Sequence, residues 1–453
     1  MELFKKKVLV IGLGKSGLAA AGWLSGKGAV VTVSDIKTKA ELDQELLNRS
    51  IELGIKLETG PHRKETFLAS DMIVISPGVP LDIEPLKAAR KKGIPLMGEM
   101  ELAGRLIDTP IVAVTGTNGK STATVLLGAI IARAGLSVFV GGNIGTPLMD
   151  YAAGDCEADY AVTEVSSFQL DTMEKFCPLV SLILNISPDH LERYPDYETY
   201  TQSKLKIFQN QGPDQYLILN DDDEKLSRLE PSGGVSVLRY GAEKRENRHA
   251  FLEDGKLKAY LPGTEVKSFN PDKFGPPGRH NLENLMGVVL AGLSLDIGPD
   301  IIQESIDHFK GLPHRLEFVG SIRGVDFYDD SKATNVDAAS RSLTGFERPV
   351  IIIAGGRHKG GDYLPLVRAA TGRVRKGIFL GEAKHLLAQS FSGIIPFSIA
   401  ENMEDAVSKA FSSAITNDVV LLAPACSSFD MFSDYAHRGR IFQEAVERLN
   451  SGN

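Results

Sequence analysis

Cysteine is scarce in this chain: 453 residues hold three, Cys156, Cys177 and Cys426. An odd number at wide spacing argues against a disulfide framework and a cysteine-rich zinc site, and fits a reducing cytosol. Long apolar runs are missing too, so no segment has the length of a membrane span. Lys5-Lys6-Lys7 before Val8–Ile11 has the charge order of a secretory leader. Gly12, Gly14, Lys15 and Gly17 break its apolar part, which suits a strand and turn better. The expected location is therefore cytoplasmic. Positive charge is not in excess: 50 Lys and Arg stand against 58 Asp and Glu, a net charge of −8. That removes any bulk electrostatic case for nucleic acid. No fixed period of self-similarity runs through the chain, so a repeat architecture is not expected.

What is present is alternation of strand and helix patterns in three regions, the mark of parallel α/β sheets. The length allows about two to four domains, each with its own core. Region one, 1–98, opens with strand-like Val8–Ile11, helix-like Gly17–Gly26 and Val30–Ser34, and later Met72–Ser76. Region two, 99–311, has strand-like Ile111–Val114, Val138–Val140, Tyr160–Glu164 and Val180–Asn185. Its stretch Val235 to Phe274 is polar and irregular, and reads as a small hairpin-like insertion. Region three, 312–453, offers Val325–Tyr328, Val350–Ala354, Gly377–Leu380 and Val419–Ala423, with helical Met403–Ala414 and Ile441–Leu449.

The strongest motif is Thr115-Gly116-Thr117-Asn118-Gly119-Lys120-Ser121-Thr122, between a strand and the helical stretch Ala123–Ala134. Glycines let backbone amides approach phosphate, and a helix N-terminus adds partial positive charge. Lys120 can reach β- and γ-phosphates, and the Ser121 or Thr122 hydroxyl can touch a metal ion. The full-length nucleotide loop has a glycine where this chain has Val114, so the loop is a shortened variant. A second glycine turn, Gly12-x-Gly14-x-x-Gly17, is followed by Asp35 at the end of the next strand. This dinucleotide-type fingerprint holds either NAD or another diphosphate such as a UDP-sugar.

Further candidates lie after strand ends, where open α/β sheets bind ligands. Glu164 opens Glu164–Leu170, and Asp189-His190 follows the strand Ser181–Asn185. A carboxylate and an imidazole near a phosphate loop make plausible Mg²⁺ ligands. Lys204 lies in helix-like Tyr200–Phe208 and, taken alone, reads as a solvated lysine. Asn281 and Asn284 share a helix face and suit an adenine or ribose edge, or a helix cap. Region three adds Pro313-His314-Arg315, Asp330–Asn335, Gly355–Lys359 and Cys426–Asp430, whose cations and hydroxyls suit a carboxylate or phosphorylated substrate.

Taken together these segments resemble the Mur ligase family, ATP-dependent amide-forming enzymes of peptidoglycan synthesis. The resemblance runs over nearly the whole chain. It rests on Gly12–Gly17, Thr115–Thr122, Gly141–Gly145, Glu164–Leu170, Asn185–Pro195, Gly278–Asn284, Leu312–Glu317, Asp330–Val336 and Pro424–Arg440. The glycine turn, Ser166-Ser167-Phe168-Gln169-Leu170 and Pro424–Arg440 point to members that add D-glutamate. The resemblance implies three α/β domains: a Rossmann-like domain for a UDP-sugar at 1–98, a central P-loop-type ATPase domain at 99–311, and a Rossmann-like amino-acid domain at 312–453.

It implies ATP and Mg²⁺, two ions expected, and a monomer without nucleic-acid or membrane partners. The small-molecule substrates would be ATP, UDP-N-acetylmuramoyl-L-alanine and D-glutamate. By motif match Lys120, His190 and Lys204 would be catalytic. Gly116 to Thr122, Asn281, Asn284, Arg315 and Asp330 would hold ATP. Ser121, Glu164, His190 and a carbamylated Lys204 would surround the metals. Gly14, Lys15, Ser16, Asp35, Lys37, Ser76, Pro77, Gly78 and Asn143 would face the UDP-sugar substrate. Thr334, Lys359, Ser428 and Tyr435 would form the D-glutamate pocket. Tyr435 stands where the family pattern has phenylalanine, and Ile36-Lys37 where it has a Thr-Arg pair. Three other readings share parts of this evidence. An NAD-dependent dehydrogenase leaves the second phosphate loop unexplained. A folylpolyglutamate synthase has no use for the N-terminal glycine-rich region. A nucleotide-binding regulator needs no carboxylate, imidazole and lysine together.

Overall fold

The computed structural model describes residues 2–154, 157–191 and 193–451, which form three α/β sheets in chain order. In the first, β1 (Lys7–Ile11), β2 (Val30–Asp35), β3 (Lys56–Thr59), β4 (Met72–Ile75) and β5 (Leu96–Gly98) lie in the order 3-2-1-4-5, all parallel. The order reverses between β1 and β4, which opens a crevice at their carboxyl ends.

The second sheet has nine strands. They are β6 (Ile111–Thr115), β7 (Val138–Gly142), β8 (Tyr160–Glu164), β9 (Val180–Ile183), β10 (Tyr216–Asn220), β11 (Ser236–Tyr240), β12 (Ala250–Glu253), β13 (Lys256–Ala259) and β14 (Lys267–Phe269). Their order is 14-13-12-11-10-9-6-8-7. Strand β6 sits between β8 and β9, so the segments after these three strands converge. All five residues of β6 are buried, because helices cover both faces of a parallel sheet. The Val235–Phe274 stretch is no separate insertion. Strand β11 continues the parallel sheet, and β12 to β14 form an antiparallel meander at its edge.

In the third sheet, β15 (Glu317–Ile322), β16 (Val325–Asp329), β17 (Val350–Gly355), β18 (Val374–Leu380), β19 (Phe397–Ile399) and β20 (Val419–Leu422) take the order 15-16-20-17-18-19. Only the β15–β16 pair is antiparallel. The ends of β16, β20 and β17 are neighbours, which gathers the segments from Asp330, Ala423 and Gly356.

Packing separates the seams. Leu18 of the first domain, and Met100, Leu148 and Met149 beyond it, belong to one buried apolar cluster. The first two domains therefore share a core. The clusters that fill the third domain begin at Leu316. No helix of the described residues is long and apolar enough to cross a membrane. Cys177 and Cys426 are free thiols, and Cys156 lies outside the described residues.

Candidate active site

The phosphate loop joins β6 to the helix Lys120–Arg133. Gly116 and Gly119 have φ of 152° and 86°, a region that glycine enters without a Cβ penalty. A Cβ on Gly119 would stand 2.4 Å from Asn284 Nδ2, so Asn284 packs directly on the loop. Asn281 lies on the same helix, Arg279–Ser294, and donates to Pro277 O at 2.7 Å. Lys120 Nζ donates to Gly116 O at 2.9 Å and Thr117 O at 2.8 Å. Thr117 Oγ1 bonds Ser187 O, which ties the loop to the segment after β9.

Glu164, at the end of β8, is 3% exposed. It accepts from Ser121 Oγ at 2.6 Å and Asn143 Nδ2 at 2.8 Å. Burial works against its charge, but Lys120, Ser121, Asn143 and Arg315 outweigh burial and hold its pKa below the usual value. Asp189 behaves alike: burial is outweighed by Lys359, His190, Asn335 and Lys120. His190 places Nε2 3.8 Å from Asp189 Oδ2, and its ring centroid lies 4.8 Å from that of Phe168. The ionised Glu164, buried, and Asp189, partly buried, with the Ser121 hydroxyl are the hard oxygen donors Mg²⁺ takes, so the donor set fits that ion. Lys204 is 1% exposed, with Nζ 2.8 Å from Gly116 O and 4.8 Å from the Tyr200 ring centroid. Burial, and next the charge of Lys120, hold its pKa well below the ordinary value.

The third domain reaches into this site. Arg315 Nη2 donates to Ser121 Oγ at 2.7 Å. Asp330 accepts from Leu316 N and from Ser342 Oγ, and burial pushes its pKa up to about 6. A small cavity of about 70 Å³ is lined by Thr122, His280, Asn281, Arg315 and Asp330, among others. Where the three domains meet there is a larger cleft of about 1060 Å³, with Gly78, Phe168, His190, Arg193, Lys359 and Phe429 on its walls. Thr334, Ser428 and Tyr435 line neither cavity. Ser428 is buried, and Tyr435 begins the last helix, with its O accepting from Ser331 Oγ.

In the first domain, a Cβ on Gly17 would stand 2.0 Å from Gly12 O, so the turn closes only with glycine there. Asp35 accepts from Leu13 N at 2.7 Å and Lys37 N at 2.9 Å, so its carboxylate braces the glycine turn itself. Ser76 Oγ donates to Gly12 O. Lys15 and Ser16 start the helix Lys15–Gly26, with Gly14 as its N-cap, and Pro77 and Gly78 follow β4.

The comparisons with known proteins decide the family. Three profiles match: the Mur ligase MurD-like N-terminal domain at residues 6–98, the Mur ligase middle domain at 114–292 and the Mur ligase glutamate ligase domain at 314–426. A UDP-N-acetylmuramoylalanine--D-glutamate ligase of Desulfosudis oleivorans is 44% identical, over 100% of this chain and 98% of its own length. The chain belongs to the Mur ligase family. A ligase of the same name from Koribacter versatilis is 41% identical over 99% of both chains. Among solved structures, a pseudomurein peptide ligase type C from Methanothermus fervidus aligns with a TM-score of 0.62 at 21% identity, over 98% of this chain and 100% of that one. UDP-N-acetylmuramate-alanine ligase from Thermotoga maritima gives 0.60 at 21% identity, over 99% and 100%. At such identity these two show the shared Mur ligase fold.

Three side chains that carry no individual assignment in the sequence also stand at the site. Asp189, beside His190, is the ionised and less exposed member of that pair, held against burial below the ordinary carboxylate range by Lys359, His190, Asn335 and Lys120. Lys332 stands 3.7 Å from the Tyr435 ring centroid, and burial pushes its pKa down to about 7. Arg193 donates to Gly78 O at 2.9 Å and Val79 O at 2.6 Å, and lies 4.2 Å from the Phe168 ring centroid. Its signal was a lone arginine in Asp189–Tyr194, which sequence spacing does not connect to Gly78.

Proposed function

We infer that the chain is an ATP-dependent ligase that joins D-glutamate to UDP-N-acetylmuramoyl-L-alanine, releasing ADP and phosphate, in peptidoglycan synthesis. The names of its full-length relatives support the substrates. The single observation that carries the chemistry is the convergence of Lys120, Glu164, Lys204 and Arg315 on one shortened phosphate loop.

A carboxylate is a poor electrophile. In the first step its oxygen attacks the γ-phosphorus of ATP, which gives an acyl phosphate and ADP. The amine of D-glutamate then attacks the acyl carbon, phosphate leaves and an amide forms. Lys120 and Arg315 supply fixed positive charge where the phosphoryl group transfers. Mg²⁺, two ions in this reading, adds Lewis-acid charge neutralisation when bound. Ser121, Glu164, His190 and Lys204, the last as a carbamate, would hold it, with Asp189 as a further donor. His190 lines the cleft and is the candidate to take the ammonium proton.

Gly116 to Thr122, Asn281, Asn284, Arg315 and Asp330 are assigned to ATP. The turn at Gly14, Lys15 and Ser16, with Asp35, Lys37, Ser76, Pro77, Gly78 and Asn143, is assigned to the UDP-sugar. Thr334, Lys359, Ser428 and Tyr435 are assigned to D-glutamate. The working domains are 1–98, 99–311 and 312–453, in a cytoplasmic monomer. The test is phosphate release from ATP with the UDP-sugar substrate and D-glutamate added separately and together. Release only with both is expected. Release that ignores either substrate overturns the assignment.

A further inference from the structure

The seam between the middle and third domains carries several side-chain hydrogen bonds, and one carboxylate accepts from two different segments of the middle domain. Asp337 stands in the first turn of the helix Val336–Thr344. Its Oδ2 accepts from Asn118 Nδ2 at 2.7 Å, Ser187 Oγ at 3.0 Å and Arg341 Nε at 2.9 Å. Asn118 belongs to the phosphate loop, and Ser187 to the segment that leads to His190. Both are in the middle domain. Next to it, Asn335 Nδ2 donates to Asp189 Oδ2 at 3.0 Å. The Asn118 main chain is itself fixed, donating to Asn185 Oδ1 and accepting from Asn185 Nδ2. The pull of Asp337 therefore acts on a rigid loop.

We propose that Asp337 is the latch that seats the third domain on the phosphate loop, and so positions the amino-acid pocket against the reacting phosphate. This rests on the ligase reading above and adds to it the residue that couples the two sites. The segment carrying Asp337 also carries Asp330 and Thr334, assigned to ATP and D-glutamate. A bond between Asp337 and Asn118 thus links the loop that holds phosphate to the pocket that holds the amine. Three donors on one carboxylate make charge-assisted bonds, stronger than neutral ones. The buried apolar residues of the middle and third domains fall in separate clusters, with Leu312 of the linker packed against the middle-domain one, so these bonds weigh heavily at the seam. When the seated fraction falls, the apparent affinity for a ligand bound only by the seated form falls in proportion.

Asp337 is a positioning residue, and its test separates the substrates. Full-length D337A is expected to raise the KM for D-glutamate about tenfold, and S187A, which removes one donor from the other side, about threefold. D337N keeps an accepting oxygen and should fall between wild type and D337A. The KM for the UDP-sugar substrate, which the first two domains hold, should stay within about twofold. Unchanged KM for D-glutamate in both D337A and S187A overturns the latch. So does a parallel rise in both KM values, the mark of general loosening. A second readout is independent of the assigned substrates: small-angle scattering with a non-hydrolysable ATP analogue. D337A should give a larger radius of gyration than wild type, and equal radii overturn the proposal. Failure of the substrate reading would appear instead as wild-type enzyme that ignores D-glutamate.

Discussion

At the level of single residues, two lysines meet at one loop carbonyl and differ in task. Lys120 and Lys204 both bond Gly116 O, and burial lowers the pKa of each. Lys120 opens the helix behind the phosphate loop and meets transferring phosphate. Lys120→Ala should cut kcat about a hundredfold or more, through lost transition-state charge stabilisation, while the thermal midpoint holds. Wild-type turnover in that variant would remove Lys120 from the mechanism. Lys204 has no solvent to stabilise an ammonium, and the charge of Lys120 further disfavours one. Carbamylation needs a neutral amine, which both effects supply. A carbamate would also give Mg²⁺ the oxygen ligands it prefers. Wild-type activity should therefore fall in bicarbonate-depleted buffer and return with bicarbonate, while Lys204→Ala is inactive in both. A fully active Lys204→Ala enzyme would make the lysine a structural side chain only.

At the scale of elements, the linker into the third domain is pinned by a polar cluster. His314 Nδ1 lies 2.6 Å from Asp329 Oδ2, and Gln443 Nε2 donates to both Asp329 and Glu317. The Asp329 hydrogen bond raises the His314 pKa, and burial opposes it without cancelling it. A raised folded pKa means that the folded chain holds the proton more tightly than the unfolded chain does. The stabilisation is then full below the ordinary value near 6.5 and is lost as pH rises through the higher folded value. The melting gap between wild type and H314Q should be wider at about pH 5.5 than at about pH 8.5. A gap that stays constant or grows with pH contradicts this. The phosphate loop gives a second element-scale test. Gly119→Ala puts a Cβ at 2.4 Å from Asn284 Nδ2 on a backbone with φ of 86°. It should weaken nucleotide binding about tenfold or more, read by calorimetry with ADP. Unchanged affinity would show that the loop can shift without cost.

At the scale of the molecule, the two seams differ in kind. The first and second domains share an apolar cluster, while the third is joined to the second by side-chain hydrogen bonds and the linker. Apolar cores resist separation, and polar seams exchange their bonds with water at small net cost. The third domain is therefore the one expected to move, about a hinge near Gly311–Pro313. Amide formation needs its reacting atoms about 3 Å apart, so the amine on one domain must approach the phosphate site on another. Scattering should show compaction when nucleotide and UDP-sugar are both present. An unchanged radius, with full activity in a variant cross-linked open, would count against closure.

The parts legible in the sequence are those whose signal is local. Strand β6, the glycine loop and the following helix are consecutive, so their pattern and their function lie in one window of residues. The same holds for Gly12–Gly17, where contact between Gly17 and the Gly12 carbonyl spans one turn. Strands β3, β5 and β19 escaped notice because three or four residues carry little periodicity, and β15 because it is half exposed. Strand β10 is largely buried, but its apolar run, Tyr216 to Leu219, is too short to separate a strand from a buried helix. The rest follows from contacts made on folding. Lys204 taken by itself reads as a solvated lysine, and only its motif match points to the metals; folding buries it 2.8 Å from Gly116 O, 88 residues away in sequence. Asp35 stands at the strand end that the glycine fingerprint calls for, and the fold adds that its carboxylate braces the turn at Leu13. Asp337 carried no signal at all, because its partner Asn118 lies 219 residues earlier. Contacts at such separations are set by how sheets and domains stack, and no local pattern of residues encodes them.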